Sequence, residues 1–210
     1  THEEIANLVT IGIEKNGFEH TDIKMIQTGG PSKDGFLPEQ RSSFIMYFFP
    51  AHINPKEAYE KGVAVETAHL LRQLPEAKTI NYAASIVAVS KASKHGATDI
   101  LHTDKEGNIF EGTRTNFFIV KDGDLITANT GILFGITRKV ILEIIEKRKL
   151  SLEFRLSNIA ELSKLSEAFI TSSTKEIMPV VKINDVTIGK GTVGHITLEL
   201  MKDFNVITAM

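Results

Sequence analysis

Lys78 sits in Leu74-Pro75-Glu76-Ala77-Lys78-Thr79-Ile80-Asn81-Tyr82, between an expected strand and the start of an expected helix. An amine entering a helix amino terminus is electrostatically awkward, because the dipole there favours anions. Burial or that field would favour the neutral amine that Schiff-base chemistry requires. On position alone, a solvated surface lysine is the plainer reading. Glu111 opens Glu111-Gly112-Thr113-Arg114-Thr115-Asn116, a polar turn that runs into the Phe117-Phe118 strand. A carboxylate there could hydrogen-bond a protonated ring nitrogen, bind a cation, or be an ordinary loop glutamate. Gly135-Ile136-Thr137-Arg138 precedes a helix built on Val140, Ile141, Ile144 and Ile145. Thr137 reads as its N-cap. The same geometry would offer free backbone N–H groups and a hydroxyl to an anion, a cup for a phosphate. Thr171-Ser172-Ser173-Thr174-Lys175-Glu176 is a second hydroxyl-rich turn, with a plain capping turn as the equal alternative.

Other chemistries find no residues to carry them. The seven histidines include no His-x-x-x-His pair, so no metal site is expected. Gly-x-Ser-x-Gly, the dinucleotide fingerprint and the P-loop are all missing. Cysteine is absent, which removes disulfides, thiolate metal sites, Fe–S clusters and cysteine nucleophiles. A formal charge of −2, from 24 basic and 26 acidic residues, argues against a nucleic-acid binder. No apolar run approaches the roughly 20 residues of a membrane span, so neither nucleic acid nor membrane is an expected partner. The lack of a signal peptide and of cysteine points to the cytoplasm.

Two helices and several strands must position the candidate residues. The 210 residues fit one large domain or one and a half ordinary ones, and 42% hydrophobic with 24% charged residues is a globular composition. An imperfect helical stripe over residues 3–16 ends at Asn16-Gly17, and strands are expected over 22–27 and 43–49. The segment Pro50 to Pro55 reads as a connection between two lobes. A short strand over 63–67 precedes a helix from Tyr82 to His95, stopped by Gly96. Residues 116–120 and 125–127 form a hairpin around Asp122-Gly123. A helix over 137–148, strands at 169–171 and 180–183, and a helix over 193–204 complete an α+β, mixed-sheet reading.

In order, Lys78, Glu111, Gly135-Ile136-Thr137-Arg138 and Ser172-Ser173 are more specific than any one of them. The pattern resembles the class IV, or fold-type IV, pyridoxal-phosphate (PLP) enzymes: branched-chain and D-amino-acid aminotransferases and aminodeoxychorismate lyase. The matching stretches are Lys78 to Tyr82, Ile109 to Phe118, Leu125 to Thr127 and Ile132 to Arg138. The resemblance implies a two-lobed, D-amino-acid-aminotransferase-like mixed α/β fold. Residues 1–52 would be the remainder of a small N-terminal lobe and 53–210 the large PLP-binding lobe. It also implies that roughly 60–70 residues of the small lobe, with an arginine for the PLP phosphate, precede Thr1 in family chains.

The resemblance further implies roles. Lys78 would hold PLP covalently and move the substrate α-proton. Glu111 would bond the pyridine nitrogen. The Ile136 backbone N–H, Thr137 and Ser173 would bind the phosphate, and Tyr82 would stand near the ring oxygen. The expected activity is transfer of an amino group between an amino acid, branched-chain or glutamate, and a 2-oxo acid, in a homodimer. A lyase of the aminodeoxychorismate type is the alternative, and a degenerate PLP-binding relic a third reading. Two departures bear on specificity. Lys33-Asp34-Gly35 stands where the D-amino-acid enzymes carry an Arg-x-His carboxylate trap, and Lys24 near the arginine of the branched-chain enzymes. A lysine does not reproduce a bidentate guanidinium clamp. The loop between Thr127 and Leu133 is also shorter by about two residues than in those enzymes, a comparison that rests on the resemblance and on the length expected of such a loop.

Overall fold

A computed structural model describes residues 1–39 and 41–208. The chain forms two compact units, Thr1–Ile53 and Asn54–Met210.

The first unit is a helix and a two-stranded antiparallel sheet. Helix α1 (His2–Asn16) starts on a capping box, Thr1 accepting from the Glu4 N–H while Glu4 reaches back, and ends at Gly17 in the left-handed region (φ 64°). Strands β1 (Thr21–Thr28) and β2 (Ser43–Pro50) pair in register from Thr21 opposite Pro50 to Thr28 opposite Ser43. Phe48 lies over Gly12, where a Cβ would come within 1.9 Å of the ring. No described residue of this unit is fully buried.

The second unit opens with α2 (Lys56–Lys61) and β3 (Val63–His69). Then follow α3 (Ala83–Ala92), extended by a 3₁₀ turn to His95 and closed by Gly96 (φ 84°), and β4 (Ala97–Thr103). Next come β5 (Asn108–Gly112), β6 (Asn116–Lys121) and β7 (Asp124–Thr127). Asp122 (φ 53°) and Gly123 (φ 91°) make the two-residue turn expected of the β6–β7 hairpin. Helix α4 (Ile136–Arg148), short strands β8 (Leu152–Phe154) and β9 (Ser157–Asn158), and strands β10 (Glu167–Ser172) and β11 (Glu176–Ile183) lead to β12 (Val186–Thr187). Helix α5 (His195–Thr208) ends the described chain, starting two residues later than the pattern suggested and running four further.

The sheet order is β8-β7-β6-β10-β11-β3-β4-β5-β9, with β12 on β11. An additional β5–β6 pairing, Glu111 opposite Asn116, closes six of these strands into a ring. β11–β3, β3–β4 and β7–β8 are parallel and the other pairs antiparallel, so the sheet is mixed, as expected. Alternation splits the core in two. Leu101, Ile109, Phe117, Ile119, Ile170 and Met178 share one cluster; Phe118, Val120, Phe169 and Ile177 pack on the other face against α4 and α5. Phe118 and Phe169 stack with centroids 4.9 Å apart. Helix α3 covers β3 and β4, its Ala88, Val89 and Ala92 sharing a cluster with Ala68, Ala97 and Ile100.

Candidate active site

Glu111 lies in β5 with only 3% of its surface exposed. Its Oε1 accepts from Arg72 Nη1 at 2.9 Å, and its Oε2 from the Leu133 backbone N–H at 2.9 Å and Asn116 Nδ2 at 3.4 Å. Burial pushes its carboxyl above the ordinary value; the Leu133 N–H, the Arg72 guanidinium and the Lys78 charge pull the other way. A buried carboxylate with one cation and a peptide N–H can bond a protonated nitrogen of a ligand.

Arg72, in the link between β3 and α3, was not singled out from the sequence. It also donates from Nη2 to the Ala77 carbonyl at 2.5 Å, so one guanidinium joins Glu111 to the residue before Lys78. The signal that could have found it is electrostatic: a carboxylate at the end of so apolar a strand run needs a cation nearby.

Lys78 is exposed and lies in that link, five residues before α3 begins. The expected seat at a helix amino terminus is therefore not what the chain builds. Pro75 and the turn through Ala77 keep this stretch out of the helix, and the Ala77 N–H bonds the Leu74 carbonyl instead. Tyr82, half-buried, is the N-cap of α3 and makes no side-chain capping bond.

Helix α4 corrects a second expectation. Its N-cap is Gly135, not Thr137, and no side chain caps it. Thr137 falls at the second helical position, buried at 7% exposure. A cap must leave the helical conformation, and extended Gly135 (φ −67°, ψ 145°) does so two residues earlier. The first helical bond runs from the Lys139 N–H to the Gly135 carbonyl, so the Ile136, Thr137 and Arg138 amides have no partner within the helix. Gly135 is also a close approach: a Cβ there would lie 2.4 Å from Asn116 Oδ1.

Ser173 occupies the turn between β10 and β11, exposed, beside Ser172, whose Oγ accepts from the Lys175 N–H at 3.1 Å. Thr171 stands directly opposite Asn116 on the neighbouring strand, and its buried Oγ1 has no partner among the described residues. Asn116 thus stands against Gly135 and opposite Thr171, two residues before Ser173. Asp99 fixes the same end of the sheet. It is 2% exposed and accepts from Thr113 Oγ1 at 2.5 Å, Thr115 Oγ1 at 3.0 Å and Lys175 Nζ at 3.4 Å. Lys78, Tyr82, Glu111, Ile136, Thr137 and Ser173 all lie on the second unit; Arg72 joins Glu111 to the residue before Lys78, and Asn116 and the Leu133 N–H join Glu111 to the segment that leads into α4.

A family model described as amino-transferase class IV matches residues 1–183. The chain belongs to the class IV aminotransferases. The D-alanine aminotransferase of Staphylococcus haemolyticus is 30% identical over 210 residues, which span 98% of this aminotransferase and 74% of that relative. Among solved structures, the Escherichia coli branched-chain amino acid aminotransferase superposes with a TM-score of 0.83 at 25% identity, covering 99% of this chain and 71% of that one. A Legionella pneumophila protein provisionally named a 4-amino-4-deoxychorismate lyase superposes with a TM-score of 0.82 at 26% identity, over 92% and 72%. Fold-type IV architecture and the class of aminotransferase activity thus rest on sequence and structure alike, and class IV aminotransferases are PLP-dependent enzymes.

Proposed function

We propose that this class IV aminotransferase uses PLP to move an amino group from a branched-chain amino acid or glutamate to a 2-oxo acid. The observation that carries the reading is Glu111. It is buried and paired with Arg72, whose second bond ends beside Lys78, and the Leu133 N–H on it comes from the segment that leads into the uncapped start of α4. The residues present fit the cofactor. The Ile136, Thr137 and Arg138 amides, without a partner among the described residues, and the Gly135 approach suit a phosphate, and the buried carboxylate suits a pyridine nitrogen. The unpartnered Thr171 Oγ1 adds an unused buried donor at the same end of the sheet.

PLP, when bound, supplies an electron sink for the pair left at the substrate α-carbon. Glu111 would bond the protonated ring nitrogen, and Arg72 aims it and favours its ionised form against burial. The Ile136 and Thr137 amides, the Thr137 hydroxyl and Ser173 bind the phosphate. Tyr82 bonds the ring oxygen. The Lys78 amine anchors the cofactor and carries the proton to and from the α-carbon. Relatives of both the D-alanine and the branched-chain kind match this chain, and the Lys33-Asp34-Gly35 departure is what supports the L-amino-acid reading. We also propose a homodimer in the cytoplasm. Ile86 and Val87 on α3, 64% and 55% exposed, support a protein–protein face. No helix is long and apolar enough to cross a membrane among the described residues.

The deciding experiment loads the chain with PLP and adds L-leucine, L-glutamate or D-alanine separately, following pyridoxamine phosphate by chromatography. L-leucine or L-glutamate is expected to form it, and Lys78→Ala to form none. Turnover retained in Lys78→Ala, or no conversion with any amino acid, overturns the assignment. Pyruvate release from aminodeoxychorismate without pyridoxamine phosphate would make the enzyme a lyase.

A further inference from the structure

Arg138 is the third residue of α4 and is only 4% exposed. Its Nη2 donates to the Ala128 carbonyl at 2.8 Å and to Asn129 Oδ1 at 3.3 Å. The guanidinium carbon lies 5.7 Å from the ring centroids of both Phe134 and Phe154, so two aromatic faces seat the cation. Its buried Nε has no hydrogen-bond partner, and no carboxylate lies within ion-pair distance of it among the described residues.

A buried cation without an anion is costly, and this one stands where a cation is least welcome. The first turn of α4 holds no acidic residue, no side chain caps it, and its own amides already present positive charge. Helix α5 shows the ordinary solution: Glu167 accepts from the Ile196 and Thr197 N–H groups at 3.0 and 2.8 Å. At α4 the chain instead adds a fixed positive charge and holds it through neutral partners, a carbonyl, an amide oxygen and two rings. Such a seat fixes the charge without neutralising it.

We propose that Arg138 is a positioning residue whose uncompensated charge makes the start of α4 selective for a phosphate dianion. The inference rests on the PLP reading above and deepens it. The charge acts across the amides of the first turn. The same guanidinium pins both ends of the Ala128–Phe134 segment, which also delivers the Leu133 N–H to Glu111.

The test compares PLP with pyridoxal, which lacks the phosphate, by absorbance titration of the full chain. The ratio of the two affinities cancels contacts made by the ring alone. Arg138→Gln, which keeps a donor for the Ala128 carbonyl and removes the charge, is expected to lower the ratio about tenfold or more, the loss of one charge-assisted interaction. Arg138→Lys keeps the charge and is expected to recover the ratio to within about threefold of wild type. Phe134→Leu leaves the charge but removes one face of its seat, and is expected to lower the ratio about threefold or more. Phe134→Leu decides the matter should the glutamine variant not fold. In parallel, inorganic phosphate is expected to raise the melting temperature of the apo wild type more than chloride at equal ionic strength, and Arg138→Gln to lose that difference. A ratio unchanged within twofold in the glutamine or leucine variant overturns the inference alone. So does a fall of both affinities together, or a lysine variant as weak as glutamine. A wild-type chain that binds neither ligand overturns this inference and the PLP reading together.

Discussion

Burial and a cation pull the Glu111 carboxyl in opposite directions, and that tension is open to experiment. Burial is the largest influence on its carboxyl and raises the pKa, so ionising it costs the folded state more as pH rises. The stability tied to the protonated form is complete below the unfolded carboxyl range and is lost as pH climbs through the raised folded value. Glu111→Gln cannot ionise and escapes that loss. The apo variant's melting temperature, followed by circular dichroism, is expected to gain on wild type between pH 4 and pH 8; a constant difference would refute the burial argument. The same change removes a preorganised charge from the site and is expected to slow amino transfer about a hundredfold or more in single-turnover kinetics. The candidate residues that sequence reasoning named are Lys78, Tyr82, Glu111, Ile136, Thr137 and Ser173, each tied to a motif of fixed local spacing. Arg72, Asn116 and Asp99 lay hidden because each has a partner far along the chain, at 39, 17 and 76 residues respectively. Nothing local marks an arginine as the counter-ion of a carboxylate two strands later.

Elements whose signals are local were legible, and those that depend on distant pairing were not. The Gly96 and Gly17 stops and the Asp122-Gly123 turn are written in one or two residues each. The ring of strands is not, because it depends on one pairing, Glu111 with Asn116, that no periodicity announces. The start of α4 departs from the local pattern for a related reason. Thr137 has the side chain of a good cap, but Gly135 wins because the chain must pass against Asn116, where a side chain would not fit. Gly135→Ala is accordingly expected to push Asn116 from Glu111 and the Leu133 carbonyl, and to destabilise the fold by about 1–3 kcal/mol in urea melts. A neutral substitution would mean that Asn116 can move without cost. A second test concerns the element after β9. Burial alone would raise the Glu161 carboxyl, but the Arg155 and Lys121 bonds outweigh it and hold the value at about 2. The stability it contributes is present above the unfolded value and is lost as pH falls toward 2. Glu161→Gln is expected to cost on the order of 2 kcal/mol at pH 7 after allowance for solvent screening. The deficit should shrink as the buffer approaches pH 2, and a deficit independent of pH would assign the effect to packing.

The two units differ in how much they bury, and that difference sets an expectation for the whole molecule. Every fully buried hydrophobic side chain among the described residues lies in Asn54–Met210, where the strand ring, α4 and α5 enclose it. The first unit has two strands and one helix. A two-stranded sheet is marginal in water without a hydrophobic face covered on at least one side. Helix α1 covers one face through Gly12 and Phe48, while Ile45, Tyr47 and Phe49 on the other face are 40%, 45% and 46% exposed. Hydrogen exchange reports such local differences, because amides of weakly supported elements open without global unfolding. Peptides from β1 and β2 are therefore expected to exchange about a hundredfold or more faster than peptides from β6 and β10, each read by mass spectrometry at neutral pH in dilute protein. Limited proteolysis should follow the same order and first release a fragment beginning near Asn54. Equal protection in β2 and β6 would show that the exposed face of the first unit is covered in solution. Repeating the exchange at high protein concentration then separates a second copy from any other cover, because protection by self-association rises with concentration and that within one chain does not.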